Sequence, residues 1–178
     1  MGLSRTGAAL GFASAAAAGL MLALISQRGP QTMTATFDPP YPEFNAKGDP
    51  IQTVMDGRIP CRAAGCVKLK VTLVLYAKTQ DRSPSSYWLG VIGASGDERV
   101  VSKGAWETRQ GVEGYPEAAV YALDSGANQA LQYFWRVNSD ILLVLDEHMR
   151  PRAGDSAWGY MLSRFDAPYG PRTYTWTP

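Results

Sequence analysis

Residues Gly7 to Ser26 form a run of twenty residues without a charged side chain, bounded by Arg5 and Arg28. As a helix rising about 1.5 Å per residue, such a run spans roughly 30 Å, the thickness of a bilayer's hydrocarbon core. A secretory signal has a shorter apolar centre, about 7–15 residues, followed by a small-x-small cleavage site. Neither Leu24-Ile25-Ser26 nor Ser26-Gln27-Arg28 fits that pattern. Residues 1–28 are therefore expected to be a retained transmembrane helix, with a cleaved signal as the alternative. Both readings export the rest of the chain. Gly7, Gly11 and Gly19 share one four-residue register, completed by Ala15 and Ala23. Small residues at that spacing let a second membrane helix approach closely. An Ala-rich segment also produces such stripes by chance, which leaves a lone tether as the other reading.

The chain carries 17 basic and 16 acidic residues, a net charge of +1, with no run of like charge. A nucleic-acid surface needs a basic patch to neutralise phosphates, and none is present. The residues after the apolar run amount to one domain able to bury a core. Cys61 and Cys66 are the two cysteines. In an exported domain such a pair most simply forms a disulfide that fixes local geometry, and the pair favours an extracytoplasmic position for this portion.

Residues 29–50 read as an extended linker because Pro30, Pro39, Pro40, Pro42 and Pro50 interrupt regular hydrogen bonding. Phe37, Tyr41 and Phe44 lie among them, placed either to contact another protein or to fold back on their own domain. Beyond Ile51 the pattern is strand after strand. Val67, Leu69, Val71, Leu73 and Leu75 alternate with Lys68, Lys70, Thr72, Val74 and Tyr76, the period of two that sends one face to a core. Further strands are expected near 52–59, 86–93, 98–106, 117–124, 129–136, 141–146 and 157–164, separated by turn-forming clusters such as Asp81-Arg82-Ser83-Pro84 and Asp124-Ser125-Gly126. Eight short strands joined mostly by short turns predict an antiparallel up-and-down barrel over 51–165, with a sandwich as the alternative. Residues 166–178, with Tyr169, Tyr174 and Trp176 among prolines, read as an extended arm more than a strand.

Asp56-Gly57-Arg58-Ile59-Pro60-Cys61, followed by Cys66 and the alternating strand, resembles the opening of the NlpE-type N-terminal domain. That family comprises bacterial envelope lipoproteins linked to copper resistance and envelope-stress signalling. Gly104-Ala105-Trp106-Glu107, the segment from Leu142 to Asp146, and Tyr160-Met161-Leu162-Ser163-Arg164 are similar to later elements of the same domain. The resemblance covers about 51–165 and implies a small lipocalin-like β-barrel in a bacterial envelope. Two departures bear on function. Arg62, Ala63, Ala64 and Gly65 separate the cysteines, where the family has two residues. No cysteine precedes Cys61 to carry a lipid, so the apolar helix would replace the lipid anchor. The expected location is the bacterial inner membrane, single-pass, with the C-terminal domain in the periplasm.

Three chemistries can be weighed. Thiolates of Cys61 and Cys66, with Met33, Met55, His148 or Met149, would suit Cu(I), but a disulfide removes both thiolates, and no metal or cofactor is expected. A histidine-dependent triad would have to use His148, the single histidine, expected in an exposed turn. No Gly-x-Ser-x-Gly elbow or phosphate-binding glycine loop is present. Glu98, Glu107, Glu113, Glu117 and Asp124 have no spacing that marks a catalytic pair, so no enzymatic activity is expected. Trp88, Trp106, Tyr121, Tyr133, Phe134, Trp135 and Trp158 are expected to fill the barrel, with a pocket for a small apolar ligand as the alternative. Tyr133-Phe134-Trp135 must place at least one ring outward. These readings converge on a membrane-tethered accessory or docking subunit of a larger inner-membrane complex, photosynthetic or respiratory. Its expected partner contacts are Phe37, Tyr41, Phe44, Tyr169, Tyr174 and Trp176. An NlpE-like envelope-stress or copper sensor and a lipocalin-like carrier are the alternatives.

Overall fold

The computed structural model describes residues 33–37, 39–61, 65–93, 99–124, 126–127, 129–155, 157–166 and 172–176. The expected anchor, with Gly7, Gly11, Ala15, Gly19 and Ala23, lies outside the described residues, as does Tyr169. Among the described residues no helix is long and apolar enough to cross a membrane. The chain divides into two units.

The larger unit is a closed antiparallel barrel of eight strands. They are β2 (Ile51–Pro60), β3 (Lys68–Ala77), β4 (Pro84–Ile92), β5 (Arg99–Val112), β6 (Tyr115–Leu123), β7 (Tyr133–Arg136), β8 (Ile141–Val144) and β9 (Met161–Arg164). Each strand pairs with the next in sequence, and β9 closes on β2 through Met55↔Arg164 and Asp56↔Ser163. The meander expected from the turn spacing is therefore present, and closure excludes the sandwich. The smaller unit is a two-stranded antiparallel ribbon of β1 (Met33–Phe37) and β10 (Arg172–Trp176). Residues read as linker and as unpaired arm thus form strands. The expected linker divides, with Met33–Phe37 in the ribbon and 39–50 in the barrel unit.

Inside the barrel the alternation works as the sequence suggests. Val71, Leu73 and Leu75 of β3 point inward and are fully buried, joined by Met55, Leu89, Trp106, Tyr121, Phe134, Leu142 and Leu162. The indole Nε1 of Trp106 donates to the Tyr76 carbonyl at 2.8 Å, and its ring meets Tyr121 edge-on at 5.0 Å. Leu131 enters the same core from a short 3₁₀ turn, Gln129–Leu131, which splits the strand expected over 129–136. The strand expected from 157 starts at Met161 because the Asp155 carboxylate accepts the Ala157 and Trp158 N–H groups and holds a turn there. Val67, expected on the core face, precedes β3 and is 75% exposed.

A second apolar cluster lies on the outside of the barrel. Tyr41, Ile51, Val54, Val74, Tyr76 and Trp88 pack together there, roofed by the segment that precedes β2. Tyr41 meets Trp88 edge-on at 5.7 Å, and the Tyr76 hydroxyl donates to the Pro42 carbonyl at 2.7 Å. Trp88, expected as barrel filling, instead lies across the outer wall over Gly90, where any Cβ would collide with its ring. Tyr41, expected as a partner contact, is 8% exposed and serves its own domain, whereas Phe44 is 52% exposed.

Candidate functional site

Cys61 and Cys66 form a disulfide between β2 and β3, with sulfurs 2.06 Å and Cα atoms 5.6 Å apart. The Cys66 sulfur also lies 2.9 Å from the Gly93 carbonyl oxygen, a contact and not a hydrogen bond because a bridged sulfur carries no proton. Both sulfurs are consumed by the bridge. Among the described residues no group of three or more His, Cys, Asp or Glu side chains gathers as a metal site would require. Met55 is buried in the barrel, and His148 sits in an exposed turn whose N–H donates to Asp146. The bridge closes a short loop, with a sequence separation of 5. Replacing both cysteines by serine is therefore expected to lower stability by about 2 kcal/mol in urea unfolding. A loss several times larger would mean that the bridge holds more than its own loop.

Glu98 lies outside the described residues, and among the described residues the other carboxylates picked out in sequence do not converge. Glu107 pairs with Arg109 at 2.6 Å and Glu113 with Arg150 at 3.3 Å, both at the surface. Asp124 has a structural task. One oxygen accepts the Ala105 N–H at 2.8 Å; the other accepts the Gly126 N–H at 3.1 Å and the Tyr87 hydroxyl at 3.2 Å. Gly104 leaves space for this carboxylate, since a Cβ there would run into it. The Gly104-Ala105-Trp106 element is thus a packing device: the glycine admits Asp124 and the tryptophan fills the barrel.

Burial, reinforced by the Asp124 charge, pushes the Tyr87 phenol up to about 12, and burial also pushes Tyr76 up to about 12. In the unfolded chain both return to an ordinary value near 10. The folded state therefore holds these protons more tightly, and their contribution is complete below pH 10 and lost as pH rises from there through about 12. Titration by tyrosinate absorbance should show Tyr76 and Tyr87 ionising late, together with alkaline unfolding. All nine ionising together near pH 10 in folded protein would contradict these burials.

Two features of the barrel's exterior stand out. The first is an aromatic patch. Phe134 points inward, while its neighbours Tyr133 and Trp135 both face outward with Val112, Val120, Leu145 and Met149. Tyr115, not singled out in the sequence, is 57% exposed and lies against Trp135 at 4.9 Å. Arg109 sits over Tyr133 at 5.8 Å.

The second is a cleft of about 360 Å³ between residues 42–47 and the outer wall of β4 and β5. Its near side is a strap organised by Asn45. The Asn45 Oδ1 accepts the Lys47 and Asp49 N–H groups at 2.8 and 2.9 Å, and Gly48, at φ +79°, supplies the left-handed turn. The Asn45 Nδ2 reaches Ser86 Oγ at 2.8 Å, Ser85 Oγ at 3.1 Å and Asp49 Oδ2 at 3.1 Å. The buried Ser85 hydroxyl donates to Asp49. Hydrogen bonds from Ser85, then Asn45, hold the Asp49 carboxyl below the usual carboxylate range. The strap is thereby tied to β4 at two consecutive serines.

Comparison of the chain with models of known protein families finds no match. No curated protein and no solved structure matches it either.

Proposed function

We propose that this chain is a non-enzymatic, membrane-tethered barrel that docks as an accessory subunit on a larger inner-membrane protein complex, with its barrel on the periplasmic side. The observation that carries the reading is the register of the ribbon. Met33, Ala35 and Phe37 stand opposite Trp176, Tyr174 and Arg172, while Thr34 and Thr36 stand opposite Thr175 and Thr173. The register thus pairs the four threonines with one another and sets the aromatic and apolar residues, with Arg172, in the remaining pairs. A two-stranded ribbon is marginal in water by itself, and cross-strand pairs of this composition favour a partner surface. Phe37, Tyr174 and Trp176, three of the expected contacts, belong to those pairs.

Position in the chain supports the same reading. Met33 follows Ser26, the end of the apolar run, by seven positions. Seven residues reach at most ~25 Å, so an anchored run would keep the ribbon near the membrane surface. The filled barrel interior favours docking over carriage of an apolar ligand, and the Tyr115–Trp135 patch offers a further contact. The NlpE-type assignment of the barrel is retained within this proposal, supported by the eight-stranded closed meander and by the cysteine pair ahead of β3.

The test is mild-detergent extraction from native membranes, native electrophoresis and mass spectrometry. Stoichiometric migration with a large complex, lost when Phe37, Tyr174 and Trp176 are replaced by serine, is the expected result. Migration of the wild-type chain as a free 19.3 kDa species would overturn the reading.

A further inference from the structure

We infer that the cleft between the strap and β4–β5 is a binding site for a small anionic amphiphile, a single carboxylate or phosphate group on a short apolar stem. The inference stands apart from the docking reading and rests on the imbalance of donors and acceptors in the cleft. Lys47 from the strap and Lys103 from β5 both line it, and no carboxylate does. Among the described residues neither lysine forms an ion pair. Asp49 lies outside the lining and directs Oδ2 to Ser85 and Asn45. Ser86 Oγ accepts from Asn45, and among the described residues its own hydrogen finds no acceptor. Two lysines and a hydroxyl therefore line one space, while the adjacent carboxylates, Asp49 and Asp124, are engaged by Ser85 and Asn45 and by the Ala105 and Gly126 N–H groups. Hydrogen bonds from such groups to an ionised oxygen are the strong class.

Much of the remaining surface is apolar. Trp88 and Pro42 border the cleft, and Ala46 and Ala105 are small enough to leave it open. A volume of about 360 Å³ is at the lower end for a ligand pocket, which limits the occupant to a small molecule or one segment of a larger one. The site is also pre-organised. The Asn45 hub, the buried Ser85 and the Tyr76–Pro42 bond fix the strap without a ligand, so little ordering remains to oppose binding.

The probes are octyl phosphate, octanoate, octylammonium and inorganic phosphate, titrated calorimetrically into the full chain held in phosphatidylcholine nanodiscs. Octyl phosphate and octanoate should bind, inorganic phosphate more weakly, and octylammonium not at all. Lys47→Gln with Lys103→Gln should weaken octyl phosphate by at least about tenfold, because both charge-assisted contacts are lost. Ala105→Leu should weaken it by filling the cleft. Both lysines are exposed, so near-ultraviolet circular dichroism should match wild type. Equal binding of octylammonium, or unchanged affinity in the double-lysine variant, would overturn the assignment, as would no binding of any probe. Phosphatidylglycerol in the nanodisc identifies the source: competition with octyl phosphate marks a lipid headgroup, and its absence marks a soluble ligand. Either result is consistent with an anionic amphiphile.

Discussion

Replacing Trp106 with alanine is expected to cost about 3–5 kcal/mol, the range for removing a buried tryptophan from a core. The ring fills the barrel beside Tyr121, and its N–H reaches across to the carbonyl of Tyr76 at the end of β3. Alanine removes the packing, the edge-to-face contact and the bond that ties β5 to β3. Trp106→Phe separates the contributions, since it keeps a ring and drops the N–H, and should cost about 1–2 kcal/mol from the unsatisfied carbonyl. Domains of this size have only about 5–15 kcal/mol in all, so the alanine variant should unfold at a visibly lower urea midpoint. A loss below about 1 kcal/mol would mean that Trp106 is not a core residue.

The second large effect is expected at Gly57. β2 pairs with β3 along almost its whole length, from Ile51 to Pro60, but with β9 at two positions alone, Met55 and Asp56. Gly57 is the next residue along this seam. A Cβ there would lie 2.5 Å from the Met161 carbonyl oxygen and 2.8 Å from Leu162 Cδ2. One of those obstacles is backbone, so relief requires β9 to move away from β2. Gly57→Val is expected to cost about 3 kcal/mol, the upper part of the overpacking range. Hydrogen exchange localises the effect: amides of Met161–Arg164 should lose protection well before those of β3 and β4. Wild-type protection across β9 in the valine variant would show that the seam tolerates the side chain.

These two sites show which parts of the fold could be read from sequence. The alternation in β3 reports burial directly, so the strands and their inward faces were legible. Closure was less so, because it depends on Asp56 meeting Ser163 across the whole barrel, and no local pattern encodes that pairing. Tyr41 had two readings because its environment is made by Trp88, Val74 and Tyr76, residues distant in the chain. The ribbon left a signal that was outweighed. Arg172-Thr173-Tyr174-Thr175-Trp176 and Met33-Thr34-Ala35-Thr36-Phe37 both alternate threonine with larger residues, but neighbouring prolines favoured an arm and a linker. The cleft has no sequence signal, since Lys47 and Lys103 come together only when the strap bonds to Ser85, Ser86 and Tyr76. Gly104 and Trp106 stand in one short sequence motif, and the Asp124 carboxylate is the reason a glycine is needed there.

The pairing of β1 with β10 also orders events in time. Barrel strands meet partners made moments earlier, so most of the meander can zip as it is synthesised. β1 must wait until all eight barrel strands and β10 have been made. Until then its edge is open, the state in which strands pair with wrong neighbours. The ribbon is consequently a completion mark: a chain interrupted between β9 and β10 can present a barrel, but never the paired ribbon.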